Sequence, residues 1–377
     1  MKTPILRGAQ SGCTWLTAAN VQLRYLAAAL LAVAWVIGAA VPADAVTCGP
    51  LISAIINPPG GCCTISAAGT YHLTGSLTAP SGADCIDITA SGVFLDTDGF
   101  TITGTFPFTG VGINVFAAAS KTVIDMGGST VHFFDIGIQN AASLVQADGD
   151  GASVTGNHVG VANTTANNVV FNSIHADFNS EQGFLITGSQ GVRIHSSTAS
   201  FNTADGIDLN STSGSFIVGT TASSNGKSGI VLTRSPSNVV DDVTVSSNTT
   251  DGLWLKASSR NSVDNPGASF NGLAGTYIGC SLTGVPAGVT CSSFGLPASN
   301  GNSIVDGGAF VNTVGIGIDL GNRTNDIVDN FVAVNGVDLK DGNVGCGTNS
   351  WVANASFTFV VAPTSGCINA SSGGFAE

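Results

Sequence analysis

The chain has 377 residues, 50 of them Gly, with 43% apolar, 7% aromatic and only 9% charged positions. That composition excludes a charge-rich disordered polymer and a coiled coil, and it predicts a packed domain. The formal net charge of −13 repels phosphate backbones and anionic lipid, so nucleic acid is not an expected partner.

The first 45 residues read as a secretory signal rather than as part of the fold. Lys2, Arg7 and Arg24 precede an uncharged stretch from Tyr25 to Ala40, and the small-residue pattern Ala43-Asp44-Ala45 follows. Sixteen Ala-rich residues are short for a ~30 Å hydrocarbon core, so cleavage before Val46 is predicted, leaving a product not held in the membrane. The mature chain, residues 46–377, is expected in the periplasm or outside the cell. Removing the signal takes the net charge to −15, because three basic residues leave with it and only Asp44 among the acidic ones.

Of nine cysteines, Cys13 lies in the signal, and an even number in an exported chain favours disulfides. Cys48, Cys62, Cys63 and Cys85 are close enough to pair among themselves in an N-terminal cap. Proximity further suggests Cys280 with Cys291 and Cys346 with Cys367. A cysteine metal site would need Cys-x-x-Cys spacings, which are absent. The turn Asp148-Gly149-Asp150-Gly151 offers two carboxylates to Ca²⁺, which takes six or more oxygens, so no cofactor is assigned and Ca²⁺ is the one candidate. His72, His132, His158, His175 and His195 are read as five different columns, with no pair placed to share a metal.

From Gly137 onward an internal repeat dominates. Gly137, Gly160, Gly183, Gly206, Gly229, Gly252 and Gly275 fall 23 residues apart, and Asn179, Asn202, Asn225, Asn248 and Asn271 keep the same step four places earlier. Looser copies surround Gly112, Gly317 and Gly336. Within each copy apolar residues alternate, as at Phe184 and Ile186 or Ile207 and Leu209, which is the pattern of short strands bounded by Gly, Asn, Ser and Thr. Phe171, Ile194, Ile217, Val240 and Val263 form a second inward column, and Ala176, Ala199, Ala222, Val245 and Ala268 a third. A 23-residue unit cannot bury its apolar side alone, so coils must stack, and the right-handed preference of parallel connections predicts a right-handed parallel β-helix. About ten coils at ~4.8 Å would give a rod ~48 Å long. The Asn column is expected to form an amide ladder at a turn. Residues 277–300 break the step and read as a loop insertion pinned by Cys280 and Cys291.

The repeat phrase N-x-x-x-G-apolar-x-apolar, together with the segment ASGVFLDTDGFTITG from Ala90 to Gly104, resembles the pectin lyase-like right-handed β-helix superfamily. More narrowly it is similar to exported bacterial members with a nitrous-oxide-reductase-maturation-type β-helix domain. The resemblance runs over about 48–370 and implies a fold, not one activity, because the superfamily holds lyases, hydrolases, epimerases, adhesins and proteins without known activity.

Register predicts which outward residues share a face. Asp205 and Asp208 lie on one coil, Lys227 and Val231 on the next, Asp251, Trp254 and Lys256 on the third, and Tyr277 follows Trp254. Exposed aromatic rings that stack on sugars, beside carboxylates that accept hydroxyl hydrogen bonds, would suit a polysaccharide or cell-surface glycan. The leading expectation is therefore an exported carbohydrate-binding β-helix, with Lys227, Trp254, Lys256 and Tyr277 as binding residues. The alternative is a polysaccharide hydrolase or lyase using Asp205, Asp208 and Asp251. Asn202 to Asp208 resembles a polygalacturonase stretch, but Ala204 interrupts it and Gly226-Lys227-Ser228-Gly229 stands where a paired Asp-Asp is needed.

Overall fold

The computed structural model describes residues 47–52, 61–280, 290–343 and 346–356, with short pieces at 360–361, 368 and 370–372. The signal segment and Cys367 lie outside the described residues. From residue 47 the chain is a parallel β-solenoid of about twelve turns with ~23 residues per turn, two more than the repeat count alone suggested. Among the described residues all the strand pairs are parallel, and a 13-stranded, a 16-stranded and a 5-stranded sheet form the sides. Among the described residues, the one helical element is the 3₁₀ turn Cys291–Phe294.

The register follows the predicted columns. Phe184 pairs with Ile207 and Ile207 with Ile230, all fully buried. The column from Phe171 to Val263 and the Ala176 column are also buried, so the solenoid is filled by like side chains stacked rung on rung.

The N-x-x-x-G phrase has a single physical cause. From Asn202 onward each ladder amide uses Oδ1 to accept from both the backbone and the side chain of the preceding Asn, as Asn225 does from Asn202 at 3.0 and 3.2 Å. Its Nδ2 donates to Ala199 O and to Asn248 Oδ1, both at 3.0 Å. A Cβ on Gly206 would come within 2.7 Å of Asn225 Nδ2 and 2.6 Å of Ala199 O, so the glycine column is the space in which the amide ladder stands. The ladder extends beyond the predicted five, from Asn157 through Asn312 and Asn335, where buried Asp338 accepts the last two bonds. The C-terminal copies register through Gly315 and Asp338, two residues away from Gly317 and Gly336. A second ladder from Asn238 through Asn261, Asn302 and Asn325 to Asn349 had gone unread.

Tyr277 and Ile278 stay on the regular strand Ala274–Ile278, so the break in the step falls after them. Ladder neighbours 23 residues apart become 41 apart between Asn271 and Asn312, and Cys280 is bonded to Cys291. The cap is tied by Cys48–Cys63 and Cys62–Cys85, and Cys346 is also disulfide-bonded.

Candidate functional site

The register brings the predicted patch together on the outer side of the 13-stranded sheet. Asp208 lies on the strand Ile207–Asn210, Val231 beside it on Ile230–Thr233, and Trp254 beside that on Leu253–Lys256. Asp205, Lys227, Ser228 and Thr250 come from the turns that lead into these strands. Together with Thr233 and Lys256 they enclose a cavity of about 260 Å³.

The aromatic half of the expectation is overturned. Trp254 is only 9% exposed and its Nε1 donates to Gly279 O at 2.8 Å, so the root of the insertion holds the indole down. Tyr277 is 2% exposed, does not line the cavity, and donates its hydroxyl to Asp319. Gly317 sits opposite Tyr277 in the register, and a Cβ there would come within 2.9 Å of its ring, so this glycine lets the ring lie flat over the next rung. Val231, Trp254, Ala274, Tyr277 and Val314 therefore make a small apolar cluster outside the solenoid rather than a stacking surface. Alternation correctly put Val231, Trp254 and Tyr277 outside the barrel; it could not show that Gly279 and Asp319 would bond the two aromatic side chains.

Val231 and Trp254 still contribute to the cavity wall, and the rest of the lining is charged or hydroxylated. Lys256 Nζ lies 4.7 Å from the centre of the Trp254 ring, over its face. Asp205 Oδ1 accepts from Ser228 N at 2.9 Å, and its carboxyl is pushed up by burial, against the pull of that bond and of Lys227 and Lys256. Asp208 is pushed up to about 6 by burial and then by the Asp205 charge, and its buried Oδ1 has no hydrogen-bond partner. Asp251 is fully buried and does not line the cavity, so it cannot touch a ligand there. Its Oδ1 accepts from Ala274 N at 2.9 Å, its Oδ2 has no partner, and burial, aided by Asp205 and Asp319, raises the carboxyl to about 7.

Sequence reading missed the hydroxyls of Ser228 and Thr250, which share a 2.7 Å bond at the cavity wall. It also missed a repetition: Asp84-Cys85-Ile86-Asp87 has the register of Asp205-Gly206-Ile207-Asp208, five rungs earlier. There Asp84 caps Val111 N at 2.8 Å, and Asp87 is raised to about 6 by burial and then by Asp84. The shared Asp-x-Ile-Asp spelling was the available signal.

The histidine reading is corrected. His72 and His195 occupy one column, separated by Asp96, Asp125, Asp148 and Asn172, and so stand too far apart to share an ion. Among the described residues His72, Asp96 and Asp98 are the one group of three whose ligand atoms lie within 4.8 Å of one another. Asp148, in the proposed Ca²⁺ turn, spends Oδ1 on Asn172 Nδ2 at 2.9 Å.

Residues 96–283 match the family model described as periplasmic copper-binding protein (NosD). That stretch is a β-helix of the NosD family. Among solved structures, the A-module of the Azotobacter vinelandii mannuronan C-5 epimerase AlgE4 is similar with a TM-score of 0.52 at 16% identity, covering 79% of this chain and 87% of that one. Pectate lyase Pel9A gives a TM-score of 0.46 at 14% identity over 70% of this chain and 71% of that one. The AlgE4 likeness shows the fold alone. No curated protein matches the sequence. The NosD description and the disulfides point to a periplasmic or extracellular location. The copper in that description was tested against the described side chains. One imidazole with two carboxylates is an oxygen-rich set, six cysteines are spent in the three disulfides above, and Met126 is fully buried. Those residues do not fit a copper site of sulfur or several imidazoles.

Proposed function

We propose that this NosD-type β-helix is exported through its N-terminal signal and binds carbohydrate at the cell envelope or outside the cell, using the cavity between Asp205 and Lys256. The observation that carries this reading is Asp208. A carboxyl oxygen buried without a partner costs free energy, and Asp208 lines the cavity, so turning its carboxyl toward a ligand hydroxyl there would relieve that cost. Lys227 and Lys256 supply donors beside it, and Asp205 and the two hydroxyls supply acceptors, a mixture suited to a polyhydroxyl ligand.

A second reading, glycoside hydrolysis, is favoured by one feature. Burial raises both carboxyls and Lys227 and Lys256 pull both down, but Asp208 reaches about 6 with the Asp205 charge against it, whereas Asp205 has the Ser228 N–H to favour its charged form. Carboxyls with environments that differ in this way divide into acid and base. Asp251, sealed away, has no direct part in either reading. The test is a panel of polysaccharides with purified mature protein, measuring binding, new reducing ends and 4,5-unsaturated products. Binding without either product supports a binding protein, products support the enzyme, and neither binding nor product excludes both.

A further inference from the structure

The residue before each ladder Asn sits in a left-handed turn: Phe178, Phe201, Ser224, Ser247 and Phe270 have φ of 56°, 58°, 58°, 59° and 58°. Bulky residues seldom adopt that conformation, and here three phenylalanines do so while 54 to 63% exposed. Ser224 and Ser247 show that the ladder needs no aromatic at this position. The backbone preference disfavours Phe here and half or more of each ring stays in water, so the ladder alone does not account for its presence.

Phe178 and Phe201 stack with ring planes 4° apart and centroids 4.8 Å apart, close to the rung spacing. The pair is offset-stacked on successive rungs, which leaves the second face of Phe201 on the side of the next rung, where Ser224 is too small to cover it. Phe201 shares its coil with Asp205 and Asp208, and Ser224 shares its coil with Lys227 and Ser228. Four residues separate Phe201 from Asp205, a reach of at most ~14 Å even fully extended.

We propose that the bare face of Phe201, backed by Phe178, is a stacking platform for one pyranose of a glycan whose neighbouring units occupy the Asp205–Lys256 cavity. The proposal rests on reading that cavity as a carbohydrate site and gives the ligand a minimum length. A pyranose C–H face matches one ring, whereas a stable protein partner needs ~800 Å² on each side, far more than two rings bounded by Gly156 and Ser224 provide. Trp254 cannot serve as the platform, since Gly279 holds it down.

The test uses the mature protein with cellohexaose, mannohexaose, chitohexaose and hexagalacturonate, each beside its disaccharide, by calorimetry. Phe201→Ser copies the residue that Ser224 and Ser247 already place in this column, so the fold is retained; thermal melting checks this. The expected result is a hexasaccharide that binds wild type, binds Phe201→Ser about tenfold more weakly, and is restored by Phe201→Trp, while the disaccharide binds both proteins alike. If Lys256→Ala weakens the hexasaccharide and Phe201→Ser does not, the platform is wrong and the cavity reading stands. If no hexasaccharide binds, or none responds to Lys256→Ala, the cavity reading fails and the platform falls with it.

Discussion

Asp251→Asn isolates a buried carboxyl whose titration should be visible in the stability of the whole solenoid. Asp251 is 0% exposed, one oxygen is held by Ala274 N, and the other has no partner. Burial, with smaller contributions from Asp205 and Asp319, raises it from an ordinary 3.8 to about 7. The folded state therefore binds more protons than the unfolded state between those values. The stabilising contribution is complete below about pH 4 and is lost as pH rises toward 7. At 1.36 kcal/mol per unit, the loss is on the order of 4 kcal/mol. Asparagine keeps the acceptor for Ala274 N and does not titrate, so the gap between wild type and variant should move by that amount, in favour of the variant, from pH 4 to pH 7.5. Guanidinium unfolding of both proteins at four pH values measures it. Parallel stability curves would show that Asp251 is solvated and that the wall behind the cavity is open.

Asn225→Ala should cost about 3 kcal/mol, because it orphans the buried Asn202 N–H and removes one partner each from Ala199 O and Asn248 Oδ1; urea unfolding reads it, and a cost below 0.5 kcal/mol would mean that the ladder is not structural. Ile207→Asp, between Phe184 and Ile230, should cost several kcal/mol, and near-wild-type melting would place the register one residue off. Val231→Thr should cost about 1 to 2 kcal/mol rather than nothing, since the outer cluster buries Val231 to 5% exposure. Replacing Cys280 and Cys291 with serine frees the root of the insertion, and tryptophan emission should shift to the red as Trp254 gains water; unchanged emission would mean that Gly279 holds the indole without the disulfide.

The solenoid was legible because its constraints are local and repeated. A glycine that makes room for an amide, an amide that bonds to the next, and alternating apolar residues all recur at 23 residues, and each copy corroborates the others. The neighbours in the candidate site were legible for the same reason, since register alone places Asp208, Val231 and Trp254 side by side. Their exposure was not. The segment after Ile278 has no counterpart in other coils, so nothing periodic announced that Gly279 would bond the Trp254 indole or that Tyr277 would reach Asp319 across Gly317. The His72 group was hidden because its partners come from the end of the strand Val93–Asp96 and the turn after it, outside the perfectly spaced repeats.

The most direct test of carbohydrate recognition is titration of a glycan panel into wild type, Asp208→Asn and Lys256→Ala at pH 5, 6 and 7.5. At least one glycan should bind wild type, lose about tenfold or more in affinity with Lys256→Ala, and show a pH dependence near 6 that Asp208→Asn abolishes. A panel without binding, or binding that neither substitution alters, would contradict the assignment of this cavity to carbohydrate.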